Sequence, residues 1–271
     1  MLSEGLYRIS KKLSNAPICY FISEGRHDQA VLFVHAAFAD HTQYDKQVDS
    51  FSDKFTVITI DLIGHGGSTI TQKGYGIEKT AEYIKNILIE ENIEQIHIIG
   101  ISIGAVLVQD FANQYSEMVL SLSCFGGYDI NNFNVSLKKE NGKAQMFMML
   151  KALFSIKWFA QSNKLISAYT YEAQEAFYQM NIRFSKKSFM YFAGLNGLIN
   201  KYTTKIRPYP LLIGCGDKDI PMELKAVEMW HDSEPISEII IFKDAGHLVN
   251  MDVPGEFNKT VIDFILRAKR S

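Results

Sequence analysis

Three residue types that can act together as nucleophile, base and orienting acid occur in the chain order Ser, Asp, His. Ser102 lies in the pattern Gly-x-Ser-x-Gly between Gly100 and Gly104, after an apolar run and before a helical pattern. A serine hydroxyl is a weak nucleophile at neutral pH, so it needs a base that is itself held by an acid. His247 follows the last strand-like run, and Asp217 follows the run before it. The pattern therefore predicts nucleophilic catalysis by these three side chains.

The residues around the serine also indicate how its hydroxyl would be presented. A tight turn from strand to helix leaves no room for side chains beside Ser102, so glycine must occupy both flanking positions. Such a turn places the hydroxyl at the N-terminus of the next helix. Unpaired N–H groups and the positive end of the helix dipole would stabilise a developing oxyanion there. The alternative is an ordinary strand-to-helix turn without chemistry.

The elements that must position these residues are short β-branched runs, most of them apolar throughout. The runs are 18–23, 30–36, 56–62, 96–102, 120–127, 210–216 and 238–246. Helix-period segments separate most of them: 41–52, 77–91, 103–116, 222–232 and 254–268. This alternation predicts an α/β fold, a mostly parallel twisted sheet with helices on both faces. The three candidates would lie at carboxyl ends of strands, where sites in such sheets form.

The first two runs are joined by only six residues, "EGRHDQ". A short connection between two strands favours antiparallel pairing. We therefore expect runs 18–23 and 30–36 to form a hairpin at one edge of the sheet.

The alternation stops between about Tyr128 and Arg207, where helical patterns rich in Met, Phe and Tyr take over. We therefore predict an α/β core made of residues 1–129 and 206–271, with a helical segment inserted at 130–205.

Charge is distributed unevenly along the chain. From Ile130 to Arg207 there are twelve Lys or Arg and three Glu, a balance of +9 in a chain whose net charge is −2, so the remainder carries −11. Solvated helix faces would explain the surplus. The alternative is a field that steers an anionic substrate or partner, such as an acyl-CoA, an acyl carrier protein or an anionic membrane surface.

Composition excludes several classes of protein. A net charge of −2 argues against a nucleic-acid binder. No apolar run approaches the roughly 20 residues of a transmembrane segment, and the N-terminal residues lack the apolar stretch of a signal peptide. We therefore expect a cytoplasmic protein.

Metal and cofactor motifs are also missing from the sequence. Cys19, Cys124 and Cys215 form no CxxC pair, and there is no HxH or HExxH motif. Gly214-x-Gly216 follows a strand-like run but lacks the third glycine of a dinucleotide-binding turn. We expect neither a metal ion nor a cofactor.

Taken together, these motifs resemble those of the α/β-hydrolase family. "HAAF" at 35–38 lies where the family commonly carries H-G-x-x, and "DLIGHGGS" at 61–68 resembles its D-x-x-G-x-G-x-S. "GCGDKDIP" at 214–221 resembles its G-x-x-D-x-φ-φ-P, and "AGH" at 245–247 precedes an apolar last helix. The resemblance covers the chain except the insertion, which lies where the family has its cap.

The resemblance implies a role for each candidate. Ser102 would be the nucleophile, His247 the base and Asp217 the orienting acid. Asp219 occupies an apolar place of the acid motif and is the rival of Asp217.

The resemblance also implies an oxyanion hole made by two backbone N–H groups, those of Ala37 and Ile103. His35 would support the first of these loops without transferring a proton. Ala36 replaces the usual glycine, and alanine tolerates positive φ poorly, so we expect a slightly altered loop.

A helical cap would also form one wall of the substrate pocket. The predicted pocket residues are His35, Phe38, Met146, Met149, Leu150, Phe154 and Leu248. Walls of Met and Phe favour an apolar acyl or alcohol group over a sugar. Simple packing of the cap on the core is the alternative explanation for the Met and Phe positions.

The resemblance implies a serine hydrolase of the carboxylesterase type, which cleaves a small-molecule ester or thioester through an acyl-enzyme. Its activity should rise with pH around the ordinary histidine pKa of about 6.5. Two other reactions use the same three residues: hydrolysis of a carbon–carbon bond in a β-diketone acid, and cofactor-free perhydrolysis. The non-enzymatic alternative is a small-molecule receptor with the same fold.

Overall fold

The computed structural model describes residues 8–68, 74–133, 151–152, 154–203, 207–234 and 236–268. Within these ranges one sheet contains eight strands, in the order β1-β2-β4-β3-β5-β6-β7-β8. The strands are β1 (Arg8–Lys12), β2 (Cys19–Ser23), β3 (Ala30–Val34), β4 (Thr56–Ile60), β5 (Ile96–Ile101), β6 (Val119–Phe125), β7 (Leu211–Gly216) and β8 (Glu238–Phe242). The pairs β1–β2 and β2–β4 are antiparallel and all the others are parallel. The predicted α/β fold is confirmed.

The predicted hairpin between the first two apolar runs is wrong. β2 pairs with β1 on one side and with β4 on the other, and β3 lies between β4 and β5. Every residue of β3 is buried, as expected for a central strand with a neighbour on each side. β1, with the polar sequence RISKK, carries no apolar pattern because it is an exposed edge strand.

Helices cover both faces of the sheet. They are α1 (Asp45–Phe51), α2 (Thr80–Glu90), α3 (Ile103–Gln114), α4 (Ile156–Ser167), α5 (Tyr171–Arg183), α6 (Pro221–Ser233), α7 (Val249–Asp252) and α8 (Pro254–Ala268). Leu32 and Val34 of β3 belong to the core cluster formed with α2, α3 and α6. Val31 and Phe33 belong to the cluster formed with α1 and α8. The alternation of side chains along a buried strand thus supplies two cores.

The chain between β6 and β7 contains α4, α5 and a 3₁₀ stretch at Lys186–Leu198. We call residues 130–205 the insertion. Polar side chains start both helices: the hydroxyls of Ser155 and Thr170 accept hydrogen bonds from backbone N–H groups of the first turns of α4 and α5. No helix in the described ranges combines the length and the apolar character needed to cross a bilayer.

Candidate active site

Ser102 lies in a strained turn between β5 and α3. Its φ is 59° and its ψ is −121°, a backbone conformation that residues other than glycine rarely adopt. A Cβ atom added to Gly100 would lie 2.3 Å from the Gly104 carbonyl oxygen. One added to Gly104 would lie 2.1 Å from the carbonyl oxygen of Val34. Both positions therefore have to be glycine, and the first turn of α3 packs directly against the end of β3.

Ser102 and His247 both contact the backbone at the end of β6. The Ser102 N–H donates a hydrogen bond to the carbonyl oxygen of Phe125 over 2.8 Å. The next residue, Gly126, has a φ of 56°, and a Cβ there would lie 2.9 Å from the His247 ring. A Cβ at Gly127 would lie 3.9 Å from the Ser102 carbonyl oxygen. Two consecutive glycines thus let the His247 ring and the Ser102 turn approach the same stretch of backbone.

His247 is hydrogen-bonded to Asp219, so the prediction that Asp217 would hold it is wrong. The His247 Nδ1 atom lies 2.9 Å and 3.1 Å from the two Asp219 carboxylate oxygens. The Asp219 side chain is completely buried. Asp217 is more exposed, and its carboxylate lies 2.8 Å from the ammonium of Lys218.

A turn explains why the later aspartate is the one that reaches the histidine. The Asp219 N–H donates to the Gly216 carbonyl oxygen over 3.2 Å, which closes a turn immediately before α6. This turn directs Asp219 inward and leaves Asp217 at the surface. The sequence carried a usable signal, because Gly216-x-x-Asp219 fits the G-x-x-D pattern as well as Gly214-x-x-Asp217 does.

Two carboxylates raise the pKa of the histidine. Burial by itself lowers the pKa of His247, but Asp219 and, more weakly, Glu223 raise it to about 9. Burial also raises the pKa of Glu223 to about 7, and its Oε2 atom has no hydrogen-bond partner among the described residues. The base form of His247 therefore appears at higher pH than the ordinary value of about 6.5 would suggest.

In the loop after β3, the buried side chain of His65 accepts a hydrogen bond from the backbone N–H of Phe38, the residue after Ala37. The Phe38 N–H donates to Nε2 of His65 over 3.2 Å, and His65 Nδ1 donates to the Ile63 carbonyl oxygen over 3.1 Å. Burial lowers the pKa of His65 to about 3, so the ring stays neutral and can accept this bond. Outside the helices and strands, no backbone hydrogen bond between described residues is donated by the Ala37 N–H. Ile103 is the first residue of α3, so its N–H has no acceptor within that helix.

His35 supports this loop from below and does not line a pocket, which corrects the pocket prediction for that residue. Its ring is fully buried, Nδ1 donates to the Ala36 carbonyl oxygen over 2.7 Å, and Nε2 accepts from the Leu62 N–H over 3.0 Å. The positive φ of the loop falls on Phe38, at 66°, and not on Ala36. Alanine at position 36 therefore causes no strain.

Aromatic rings surround Phe38, the residue that follows Ala37 in the loop after β3. The ring centroid of Phe38 lies 4.7 Å from that of Phe159, 5.0 Å from Phe184, 5.6 Å from Phe192 and 5.7 Å from Phe189. We call these five rings the phenylalanine cluster. Four of its members come from the insertion and were not predicted, because their positions carry no motif.

The other predicted pocket residues have different outcomes. Phe154 is 80% exposed, so its assignment to the pocket is wrong. Leu248 is fully buried beside His247. Met146, Met149 and Leu150 lie outside the described residues. Among the residues that the structure does describe, no group of three His, Cys, Asp or Glu could hold a metal ion.

Comparison with known proteins connects this geometry to a family. A family model described as alpha/beta hydrolase fold matches residues 29–151. A thermophilic esterase from Thermogutta terrifontis superposes with a TM-score of 0.78 at 19% identity, over 96% of this chain and 98% of that one.

Two curated relatives are similar along most of the chain. A 2-hydroxy-6-oxononadienedioate/2-hydroxy-6-oxononatrienedioate hydrolase from Pseudomonas sp. is 22% identical over 262 residues, 90% of this chain and 90% of its own length. The dihydrolipoyllysine-residue acetyltransferase component of the acetoin cleaving system of Cupriavidus necator is 20% identical over 88% of this chain. The chain spans 64% of the length of that relative.

Proposed function

We propose that this protein, which has the alpha/beta hydrolase fold, cleaves a small carboxylic ester or thioester through an acyl-enzyme on Ser102. The observation that carries the proposal is the strained backbone of Ser102 at the N-terminus of α3. This turn and the ring of His247, which is hydrogen-bonded to Asp219, both pack against the backbone of residues 125–127. Strain of this kind persists only where the surrounding structure enforces it, and it is concentrated at functional sites.

In this mechanism His247 acts first as base and then as acid. Its Nδ1–H donates to Asp219, which leaves Nε2 as the atom that accepts the Ser102 proton. The serine oxygen then bonds to the acyl carbon, and the carbonyl oxygen becomes an oxyanion held by the N–H groups of Ala37 and Ile103. The protonated histidine returns the proton to the leaving alcohol or thiol. Water then attacks the acyl-enzyme by the same steps and releases the acid.

The phenylalanine cluster indicates the substrate class. Phe38 directly follows the proposed oxyanion donor Ala37, and its ring packs against four rings of the insertion. Apolar walls bury apolar surface favourably and leave the hydroxyl groups of a sugar without partners. In this proposal the insertion is the cap of the site, and the acyl or alcohol group is apolar.

The test is hydrolysis of p-nitrophenyl esters with acyl chains from two to twelve carbons. We expect turnover by the wild type and its loss in Ser102→Ala, whereas Ser10→Ala, an exposed serine on β1, should behave as wild type. A fluorophosphonate probe should label Ser102 only. If the wild type shows no turnover and is not labelled, the result contradicts the proposal and favours a receptor.

A second candidate is hydrolysis of a carbon–carbon bond next to a ketone. It is favoured by the Pseudomonas relative, which matches 90% of this chain and is named for a 2-hydroxy-6-oxo dienedioate substrate. The two candidates differ in a direct assay. Labelling of Ser102 without turnover of any ester, together with loss of the yellow absorbance of a 2-hydroxy-6-oxo dienoate, would favour the second.

A further inference from the structure

The loop that carries His247 is held on both sides of the histidine, on one side by Asp252 and on the other by the insertion. On one side, the Gly246 N–H donates to Oδ2 of Asp252 over 2.8 Å. On the other side, the Leu248 N–H donates to the carbonyl oxygen of Ser167, the last residue of α4, over 2.9 Å. The backbone on either side of the ring is therefore held, independently of the bond that Asp219 makes to the ring itself.

Asp252 joins this loop to the turn between α4 and α5. Its Oδ1 atom accepts from the Thr170 N–H over 2.7 Å and from the Thr170 hydroxyl over 2.8 Å. The Tyr169 N–H lies 3.0 Å from both carboxylate oxygens. Asp252 is 8% exposed, and a carboxylate that is so deeply buried is tolerated only when hydrogen bonds replace its water. Oδ1 thus accepts bonds from the insertion only, whereas Oδ2 accepts the Gly246 N–H of the histidine loop and shares the Tyr169 N–H with Oδ1.

The two segments that Asp252 joins are also in direct contact. A Cβ atom at Gly246 would lie 3.1 Å from the Tyr169 nitrogen and 3.3 Å from the Ala168 carbonyl carbon. The Gln174 side chain donates to the carbonyl oxygens of Ala168 and Tyr169 over 3.0 Å and 3.2 Å. The turn is therefore braced from within α5 and gives the loop a fixed support.

We propose that Asp252 is a positioning residue for His247, one that sets the place of the imidazole by fixing its backbone against the α4–α5 turn. This inference rests on the proposed function, because it takes His247 to be the base. The bond to Asp219 fixes the ring only if the backbone beneath it is already in place. A displacement of about 1 Å at a reacting group can cost about a hundredfold in rate. The same bonds make this end of the insertion an anchor rather than an opening.

The first variant is Asp252→Asn, which keeps the shape of the side chain. Whichever oxygen the amide retains, its nitrogen will face a backbone N–H, either at Gly246 or at Thr170. We expect kcat to fall about 10- to 100-fold while KM changes less than about twofold, because the base is displaced and the pocket is kept. The limb of the kcat/KM profile that rises with pH should move to lower pH as the contact between His247 and Asp219 loosens.

A matched control is Glu91→Gln. Glu91 is also 8% exposed, and it accepts hydrogen bonds from Lys11, Arg26 and Tyr20 next to β1, away from the site. This variant should lose thermal stability and leave both the pH profile and kcat at low temperature unchanged. If the Asn and Gln variants affect Tm, kcat and pH profile in the same way, Asp252 has a structural role only and the proposal is wrong.

A second variant and a second measurement keep the inference testable without turnover. Asp252→Glu retains both oxygens one methylene further from α7, so it should fold and still lower the His247 pKa, read by NMR of ring-labelled histidine. A His247 pKa equal to that of the wild type in either folded variant would overturn the inference. A shifted His247 pKa in a protein that hydrolyses no ester and takes up no fluorophosphonate would support the role of Asp252 and contradict the proposed function.

Discussion

The sheet and the insertion of this protein differ in how far their apolar side chains are buried. Every residue of β3, β4 and β5 is buried, and the proposed nucleophile sits at the end of β5. In the insertion, α4 leaves Leu165 58% exposed and Ile166 53% exposed. A strand buried on both faces has one way to pack, whereas a helix with two partly apolar faces can meet several neighbours. In the proposed function the sheet therefore positions the reacting groups, and the insertion controls which substrates reach them.

Charge joins the two regions. Basic residues of the segment that carries +9 form ion pairs with buried carboxylates of the core. The pairs are Arg183 with Asp40, and Lys201 with Asp110 at 3.5 Å. Part of the charge asymmetry thus serves attachment. Steering of an anionic substrate stays a prediction, to be tested by the salt dependence of kcat/KM for anionic and neutral esters.

The largest expected effect tests whether the chemistry depends on the edge of the sheet, as this comparison implies. Asp219→Asn should lower kcat by about 10⁴-fold, because the amide no longer holds His247 in the tautomer that leaves Nε2 free. Asp217→Asn, two residues earlier and more exposed, should change kcat less than about threefold. Both are measured on one p-nitrophenyl ester at saturating concentration. A larger loss in the Asp217 variant would refute the assignment of Asp219.

The next effect concerns the pH dependence. The active form of His247 is neutral and its pKa is about 9, so kcat/KM should rise about tenfold per pH unit below that value. Glu223→Gln removes a nearby negative charge, so the limb should move to lower pH and activity at pH 7 should increase several-fold. Profiles of both proteins from pH 5 to 10 check this. An unchanged limb would show that Glu223 does not act on His247.

Glu223 should also affect stability, with a definite sign. Its folded pKa of about 7 lies above the unfolded value near 4.5, so the carboxyl group costs stability as pH rises through this interval. Glu223→Gln lacks that cost. The Tm difference between variant and wild type should therefore become more favourable to the variant between pH 5 and pH 8. A difference that is independent of pH would contradict the raised pKa.

A smaller effect tests how the insertion sets specificity. Phe184→Ala removes a ring whose centroid lies 5.0 Å from that of Phe38, which should enlarge the proposed acyl pocket. The optimum of the acyl series should therefore shift by several carbons to longer chains. Phe154→Ala is the matched control, since that ring is 80% exposed. Identical chain-length profiles for the two variants would remove the phenylalanine cluster from the pocket.

The smallest effect is expected at the surface contact between the regions. Lys46 and Glu172 lie 2.7 Å apart with side chains that are 50% and 77% exposed. An exposed ion pair contributes about 0–1 kcal/mol, so Lys46→Ala should change Tm by no more than a few degrees and leave kcat/KM unchanged. A large loss of activity would show that the insertion is held mainly by surface charge.

Most of the architecture could be predicted from local patterns. Apolar runs separated by helical periods predict the parallel sheet, and glycines on both sides of Ser102 predict the tight turn. The pairing of β2 with β4 could not be predicted in this way. Chain proximity favoured a hairpin with β3, whereas in the fold both edges of β3 are paired with β4 and β5, and β2 pairs with β4 instead. Strand order depends on packing between segments distant in the sequence, which no local window contains.

The site divides along the same line. The sequence by itself determined the serine at the end of β5, the histidine after β8 and an acid after β7, because each follows a strand and parallel strands end at one edge. Three contacts are visible only in the tertiary structure: the hydrogen bond of Asp219 to His247, the packing of Phe38 against rings of the insertion, and the hydrogen bond of Asp252 to the His247 loop. The reason is physical: strand and turn propensities act over a few residues, whereas hydrogen bonds and ring contacts across the fold exist only once distant segments have packed together.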